Sequence, residues 1–368
     1  HFRMNEITFL EEFHWLQLFF DYCVGNRPFI LPSSSTQQWK SRSDWVTDDG
    51  RPKNEYLRMK YGDLKVPVIS EGDCEPEEWT FSQYIDYVEG PKKKLQYLKD
   101  FHFQESAGSS SYSAPMCLYP DWVNHEDWTS TVDSPFDGAD YRFVYYGVKG
   151  TWTRFHSDVL SSHSWSANIC GRKLWLFVPI GEEKRFMNHG QLINDLRERE
   201  NEWKEVGGFS LIQEEGQIVF VPSNWHHQVH NLEDTISINH NVINASNLNL
   251  VAHFLFSRLI DVRKEIEHLK DVFDEEEMKE KEKLILKADA RLDLDGLSQL
   301  CRLIIDSRLK RGRDCYVCWR HNDVIQCRLG SCRPLPCSCT ISSCAECVRV
   351  LEEYEITVAA LVLDKVTR

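Results

Sequence analysis

Between Tyr141 and Asn244, short strand-like segments recur at close intervals: Tyr141–Tyr146, Trp152–Phe155, Ser164–Cys170, Leu174–Val178, Gln217–Val221 and Thr235–Val242. Gly147, Gly150, Gly171, Gly181, Gly207, Gly208 and Gly216 punctuate them. Runs this brief, rich in β-branched and aromatic residues and separated by turn residues, pair as strands. Many short strands on one stretch of chain favour a barrel or a two-sheet jelly roll, where closure protects the strand edges. This pattern restricts the fold more than any other feature. It predicts a mainly β core, cupin-like in outline, with flanking α-helices.

The flanks read differently. Ile7, Leu10, Phe13, Leu16 or Leu18, and Phe20 have helical spacing over residues 4–24, and Asn26-Arg27-Pro28 breaks it. Phe29–Leu31 and Val66–Ile69 read as strands, residues 36–60 as short helices and Phe81–Val88 as a helix. Residues 105–114 are small and polar and read as a mobile loop, and the charged insert 182–208 as surface helix. Beyond the core, Leu250, Phe254, Leu259, Val262, Ile266, Leu269 and Phe273 recur at helical spacing, and Glu275–Lys283 reads as a solvated helix face. Leu297–Leu309 follows as a helix, with Gly296 before it as a break, and residues 348–363 are again helical. The expected organisation is an N-terminal α/β region packed on the core (1–129), a catalytic domain (130–247), a helical region (248–312), a cysteine-rich module (313–347) and a C-terminal helix (348–368).

Charge and cysteine usage limit the function. The 43 basic and 57 acidic residues leave a net charge of −14. That argues against broad nucleic-acid binding, which needs a basic field, and suits a basic protein partner. No run of 18 apolar residues exists, so no membrane span is expected, and Phe9–Phe20 lacks the basic leader and cleavage site of a signal peptide. Cys23, Cys74, Cys117, Cys170 and Cys301 are scattered singly, which fits reduced thiols in a cytoplasmic setting, with a nuclear one left open.

The chemistry centres on His156-Ser157-Asp158. On a strand, residues i and i+2 share a face, so an imidazole and a carboxylate can meet one metal ion. Downstream, Val219-Phe220-Val221-Pro222 leads through a turn into Trp225-His226-His227-Gln228-Val229-His230. One histidine of that run would complete a two-His, one-carboxylate triad, which leaves coordination positions open on Fe(II). The residues alone do not select which one.

The ordered set Gly150 to Asp158, Trp165-Ser166, Gly171-Arg172-Lys173, Trp225 to Leu232 and Asp234 to Asn241 resembles the Jumonji C (JmjC) oxygenases. The resemblance is strong over roughly residues 130–245 and weaker towards the start of the chain. It implies a double-stranded β-helix fold, Fe(II) and 2-oxoglutarate as cofactors, dioxygen as co-substrate, and release of succinate and carbon dioxide. By alignment it makes His156, Asp158 and His227 the iron ligands. Lys173 and Thr153 match residues that hold the distal carboxylate of 2-oxoglutarate, Asn241 matches a pocket-lining amide, and Asn168 and Tyr145 are further pocket candidates. Within the family, the nearest pattern implies hydroxylation of a lysine side chain on a eukaryotic translation termination factor. The alternatives are a JmjC histone lysine demethylase and a non-catalytic binding protein on the same scaffold; neither a chromatin-reader motif nor a long basic run is present.

Eight cysteines crowd the C-terminal segment: Cys315, Cys318, Cys327, Cys332, Cys337, Cys339, Cys344 and Cys347. Two CxxC pairs with cysteines between them suit Zn(II), because each tight turn supplies half a tetrahedral thiolate site. Disulfides, or a segment without metal, are the other readings.

Overall fold

The computed structural model describes residues 7–11, 15–73, 75–108, 111–118, 120–125, 134–136, 140–310 and 341–367. Its strands, in chain order, are β1 Thr8–Phe9, β2 Phe29–Leu31, β3 Lys65–Ser70, β4 Glu77–Thr80, β5 Gln96–Phe101, β6 Arg142–Gly147, β7 Trp152–His156, β8 His163–Cys170, β9 Lys173–Val178, β10 Met187–Asn188, β11 Gln191–Leu192, β12 Phe209–Gln213, β13 Ile218–Val221, β14 His226–Asn231 and β15 Thr235–Val242. Nine form one sheet in the order β1-β2-β13-β8-β15-β6-β5-β3-β4, and four form a second in the order β12-β9-β14-β7. From β6 onwards the chain steps between the two sheets, giving the double-stranded β-helix core.

Alternation along β13 shows how that core is built. Ile218 and Phe220 enter the apolar cluster on the outer side of the large sheet, with Trp165 and Phe29. Val219 and Val221 enter the cluster between the sheets, with Trp175, Phe177, Trp225 and Val229. A strand buried on both faces must be apolar throughout, which is why Ile-Val-Phe-Val sits here. β9 obeys the same parity. Trp175 and Phe177 point between the sheets, while Leu176 and Val178 face Phe155, Phe186, Ile193 and Leu196 beneath the insert after β9.

The N-terminal segment enlarges the large sheet. β3, β4 and β5 continue it beyond β6, and helix Phe81–Glu89 buries Phe81, Tyr84, Ile85 and Val88 beside it. Thr80 and Gln83 close a capping box at the start of that helix, and the Tyr84 hydroxyl donates to the carbonyl of Tyr146 at 2.5 Å. Three expectations fail here. Residues 4–24 do not form one helix: Thr8–Phe9 pairs in parallel with β2, and the helical turns run only from Trp15 to Val24. The 105–114 stretch is not an open loop, since Phe103–Ala107 is helical and Tyr112 is buried against His240. The insert 182–208 is mostly 3-10 turns and a small hairpin, with one short helix at Glu200–Glu205.

Four α-helices follow in the described chain: Leu248–Glu265, Glu275–Ala290, Leu294–Lys310 and the longest, Ile341–Thr367. Gly296 lies inside the third helix instead of breaking it, because its N–H is taken by Asp293 Oδ1 at 2.7 Å, one of the first-turn donors a helix leaves open. Six of the eight C-terminal cysteines (Cys315, Cys318, Cys327, Cys332, Cys337 and Cys339) lie outside the described residues; Cys344 and Cys347 fall within the last helix. Among the described residues no helix is long and apolar enough to cross a membrane.

One buried ionic contact fixes the last helix to the core. Arg308 Nε donates to Glu355 Oε2 at 2.6 Å, Trp122 Nε1 donates to Glu355 Oε1 at 3.1 Å, and the Arg308 guanidinium lies over the Trp122 ring at 5.2 Å. Both charged side chains are almost completely buried. Removing Glu355 would take away the carboxylate that neutralises the buried Arg308 guanidinium. Glu355→Ala is therefore expected to cost about 3–5 kcal/mol in urea unfolding, whereas the paired change Arg308→Met with Glu355→Leu recovers most of that loss.

Candidate active site

β7 and β14 are antiparallel neighbours, and their register sets His156 directly opposite His227. The two rings lie 4.4 Å apart between centroids. Each ring is locked by its own strand. His156 Nδ1 bonds the Arg154 carbonyl at 2.7 Å, and His227 Nδ1 bonds the Trp225 carbonyl at 3.0 Å. A carbonyl only accepts, so each Nδ1 carries the proton and each Nε2 keeps its lone pair for a metal. Burial, and next the proximity of His227, pushes the His156 pKa down to about 4, so that ring is neutral at physiological pH. Asp158 follows the end of β7. Its Oδ2 accepts the Ser164 hydroxyl at 2.6 Å, which orients the carboxylate and leaves Oδ1 to the metal. One ligand atom from each of His156, Asp158 and His227 falls within 4.8 Å of the others, the one such cluster among the described residues. Two imidazoles and one carboxylate, without thiolate, fit a hard-to-borderline divalent ion such as Fe(II).

Parity decides between the two adjacent histidines. Across β14 and β9, His227 opposes Phe177, Val229 opposes Trp175 and Asn231 opposes Lys173, all on the inner face. His226 points the other way, against Phe155. Trp175 stacks on the His227 ring at 5.5 Å and is itself fixed by Gln213 at 2.8 Å, so it is a core residue that also supports a ligand.

The inner face of the large sheet opposite these ligands is polar. Ser164, Ser166 and Asn168 on β8 pair with Asn241, Asn239 and Ser237 on β15. Between the sheets lies a cavity of about 70 Å³ lined by Thr153, Lys173, Tyr145 and Asn241 together with the three metal-site residues. Lys173 is 2% exposed, and its ammonium meets Ser237 Oγ at 2.7 Å. Burial lowers its pKa to about 7. A buried ammonium with a single hydroxyl partner has donors to spare for a carboxylate, and such charge-assisted bonds are strong away from water. Asn241 donates to Ser162 Oγ at 3.0 Å at the other end of the cavity wall.

Asn168 does not line this cavity. It shares the inner face, but its Nδ2 donates to the Gly171 carbonyl at 2.6 Å. That bond shapes the turn before Lys173, where Gly171 has φ +73° and a Cβ would meet the Asp234 carbonyl oxygen at 2.3 Å. Three contributors escape sequence reading: Ser164, Ser237 and Tyr97, which borders both the cavity and the cleft beyond it. Ser237 alternates with Asn239 and Asn241 along β15, the one signal that could have marked it.

The cavity continues at Tyr97, Phe143, Tyr145 and Thr153 into an open cleft of about 590 Å³. Tyr141, Phe143 and Trp152 give the cleft aromatic walls, and Glu71, Asp73, Lys99, Asp100 and Arg154 its charged positions.

A closed double-stranded β-helix carrying this triad, with a buried lysine beside it, defines a metal-dependent oxygenase class. The sequence model of the JmjC domain, hydroxylase, matches residues 143–242. The chain is 37% identical over 330 residues to the 2-oxoglutarate and iron-dependent oxygenase JMJD4 of Gallus gallus, covering 83% of this chain and 76% of that protein. It is 36% identical over 333 residues to the protein of the same name in Danio rerio, covering 84% and 77%. It is also 38% identical over 284 residues to the arginine-specific demethylase JMJ20 of Arabidopsis thaliana, covering 69% and 60%. The chain belongs to the JmjC family of 2-oxoglutarate and iron-dependent oxygenases.

With Lys173 in the role the resemblance implies, co-substrate binding is expected to depend on pH. Free, its amine begins to lose its proton near pH 7; a bound carboxylate favours the charged form and raises that pKa. Binding therefore takes up a proton above pH 7, and affinity for 2-oxoglutarate falls as pH rises, by up to about tenfold per unit. Calorimetric titration with Mn(II) in place of iron, from pH 6.5 to 8.5, is expected to show this slope in the wild type, and a flat, weaker response in Lys173→Met.

Proposed function

We propose that the chain is a protein hydroxylase that oxidises a lysine side chain, with a eukaryotic translation termination factor as substrate and the cytoplasm as setting. The observation that carries this reading is the cleft itself. A space of about 590 Å³ meeting the metal site suits a peptide segment presenting one long side chain. Its aromatic walls suit methylene groups, and its carboxylates suit an ammonium tip.

When bound, iron with 2-oxoglutarate and dioxygen supplies oxidation of an unactivated C–H bond. The chain's own residues supply the rest. His156 and His227 present Nε2, Asp158 presents Oδ1, and Ser164 keeps that carboxylate turned. Lys173 and Thr153 would hold the distal carboxylate of 2-oxoglutarate, and Trp175 and Phe177 keep water from the inner face of the ligands. The substrate carbon enters from the cleft side.

The second reading is demethylation of an N-methyl group, on histone lysine by the same chemistry, or on arginine, for which the name of the Arabidopsis relative is the support. The same cleft would accept such a side chain. A non-catalytic scaffold is opposed by the complete His156, Asp158, His227 and Lys173 set. Zinc at the eight C-terminal cysteines is a separate proposal resting on their spacing, checked by zinc content of the purified protein.

The test is turnover with Fe(II), 2-oxoglutarate and peptides from the termination factor's lysine-bearing loops, read by intact mass. Gain of one oxygen atom by wild type, absent with His156→Ala, is the expected result. Loss of a methyl group from a methylated arginine or lysine peptide, with no oxygen gained on the lysine peptides, would replace this reading with the demethylase one.

A further inference from the structure

Among the carboxylates of the cleft, Asp100 is set apart by its backbone and by its anchor. It lies on β5 where the pairing with β6 slips between Leu98 and Phe101. Its φ is +59°, a left-handed conformation that L residues adopt at a cost of about 1–2 kcal/mol and that Asp tolerates better than most. The slip re-aims the side chain, and the carboxylate joins the wall of the cleft. The Tyr145 hydroxyl donates to Oδ1 at 2.5 Å. Tyr145 borders both the cleft and the metal cavity, so its ring fixes this carboxylate at the junction of the two.

Oδ2 is differently placed. The Lys99 ammonium is 3.6 Å away, beyond hydrogen-bond distance, and the Asp100 side chain is half exposed. Asp73, by contrast, is engaged by Lys94 at 3.2 Å towards the outer rim. The cleft thus offers one carboxylate oxygen held by a buried-side anchor, with acceptor capacity left and aromatic walls from Tyr141, Phe143 and Trp152 around it.

We propose that Asp100, positioned by Tyr145, is the residue that selects a cationic substrate side chain, accepting the ammonium of the target lysine on Oδ2 while the methylene chain lies along the aromatic wall. The assignment rests on the lysyl reading above. Lys99, whose ammonium faces Oδ2 at 3.6 Å without a hydrogen bond, is then the counter-charge that the substrate ammonium replaces. Tyr145 acts through Asp100 and is a positioning residue.

The experiment compares binding of two peptides, identical except for lysine or norleucine at the target position, to protein loaded with Mn(II) and 2-oxoglutarate. Norleucine keeps the methylenes and lacks the ammonium. Wild type is expected to prefer lysine by about tenfold, Asp100→Asn by less than about threefold, and Tyr145→Phe to fall between. Asp100→Asn keeps the hydrogen-bonding shape and loses the charge, and the ratio of two peptides on one protein does not depend on how much of a variant folds. A full lysine preference retained in Asp100→Asn overturns the assignment to Asp100. No lysine preference in the wild type overturns instead the lysyl reading on which it rests.

Discussion

Everything in the active site depends on one cross-strand pair. His156 and His227 face each other because β7 and β14 are antiparallel in one register, and a shift of a single residue would turn the second ring away from the metal. Each ring is then held by a bond to a carbonyl two residues back on its own strand, so the proton sits on Nδ1 and the lone pair on Nε2 before any ion arrives. The stacking of Trp175 on His227 makes the same register visible in the core: inner-face packing and ligand placement are one parity. Pre-organisation of this kind means that metal binding has little ordering entropy left to offset.

The two faces of the large sheet divide the labour. Trp165, Ala167, Ile169, Ile236 and Ile238 join the outer apolar cluster, which covers them with the N-terminal helices. Their neighbours Ser164, Ser166, Asn239 and Asn241 point inward and give the cavity its hydrogen-bonding wall, and Ser237 on the same face holds Lys173. Lys173 completes that wall from the opposite sheet. A buried ammonium is costly in an apolar core, and here the polar face opposite supplies its partner. The C-terminal helix joins the same construction at a distance: Trp122, which bonds Glu355, also donates its backbone N–H to Ile243 just beyond β15, and Asn124 bonds the Asn241 carbonyl.

Much of this was legible in the sequence, and the limits have physical causes. Strands β6 to β9, β13 and β15 carry enough β-branched and aromatic residues to be read singly, whereas β14, His226–Asn231, has only Val229. β4, Glu77–Thr80, and β12, Phe209–Gln213, are sheet edges without clean alternation and carry too little apolar signal over four or five residues. Ile7, Leu10 and Phe13 happen to fit a 3.6-residue period, while Thr8 and Phe9 between them pair with β2 as a strand. In the site, motif spacing and family resemblance pointed to His156, Asp158, His227 and Lys173. Ser164, Ser237 and Tyr97 were invisible, because each acts through a neighbour brought close only by sheet pairing. Asn168 shares the inner face, but its Nδ2 donates to the turn at Gly171, a contact no spacing rule reveals.

The central claim, that parity makes His227 and not His226 the ligand, is tested most directly by metal affinity. Anaerobic Fe(II) titration of wild type, His226→Ala and His227→Ala would settle it. His226→Ala should bind one iron within about threefold of the wild-type affinity, and His227→Ala should lose at least about a hundredfold. Loss of iron from His226→Ala together with tight binding by His227→Ala would contradict the account, and with it the register on which the site is built.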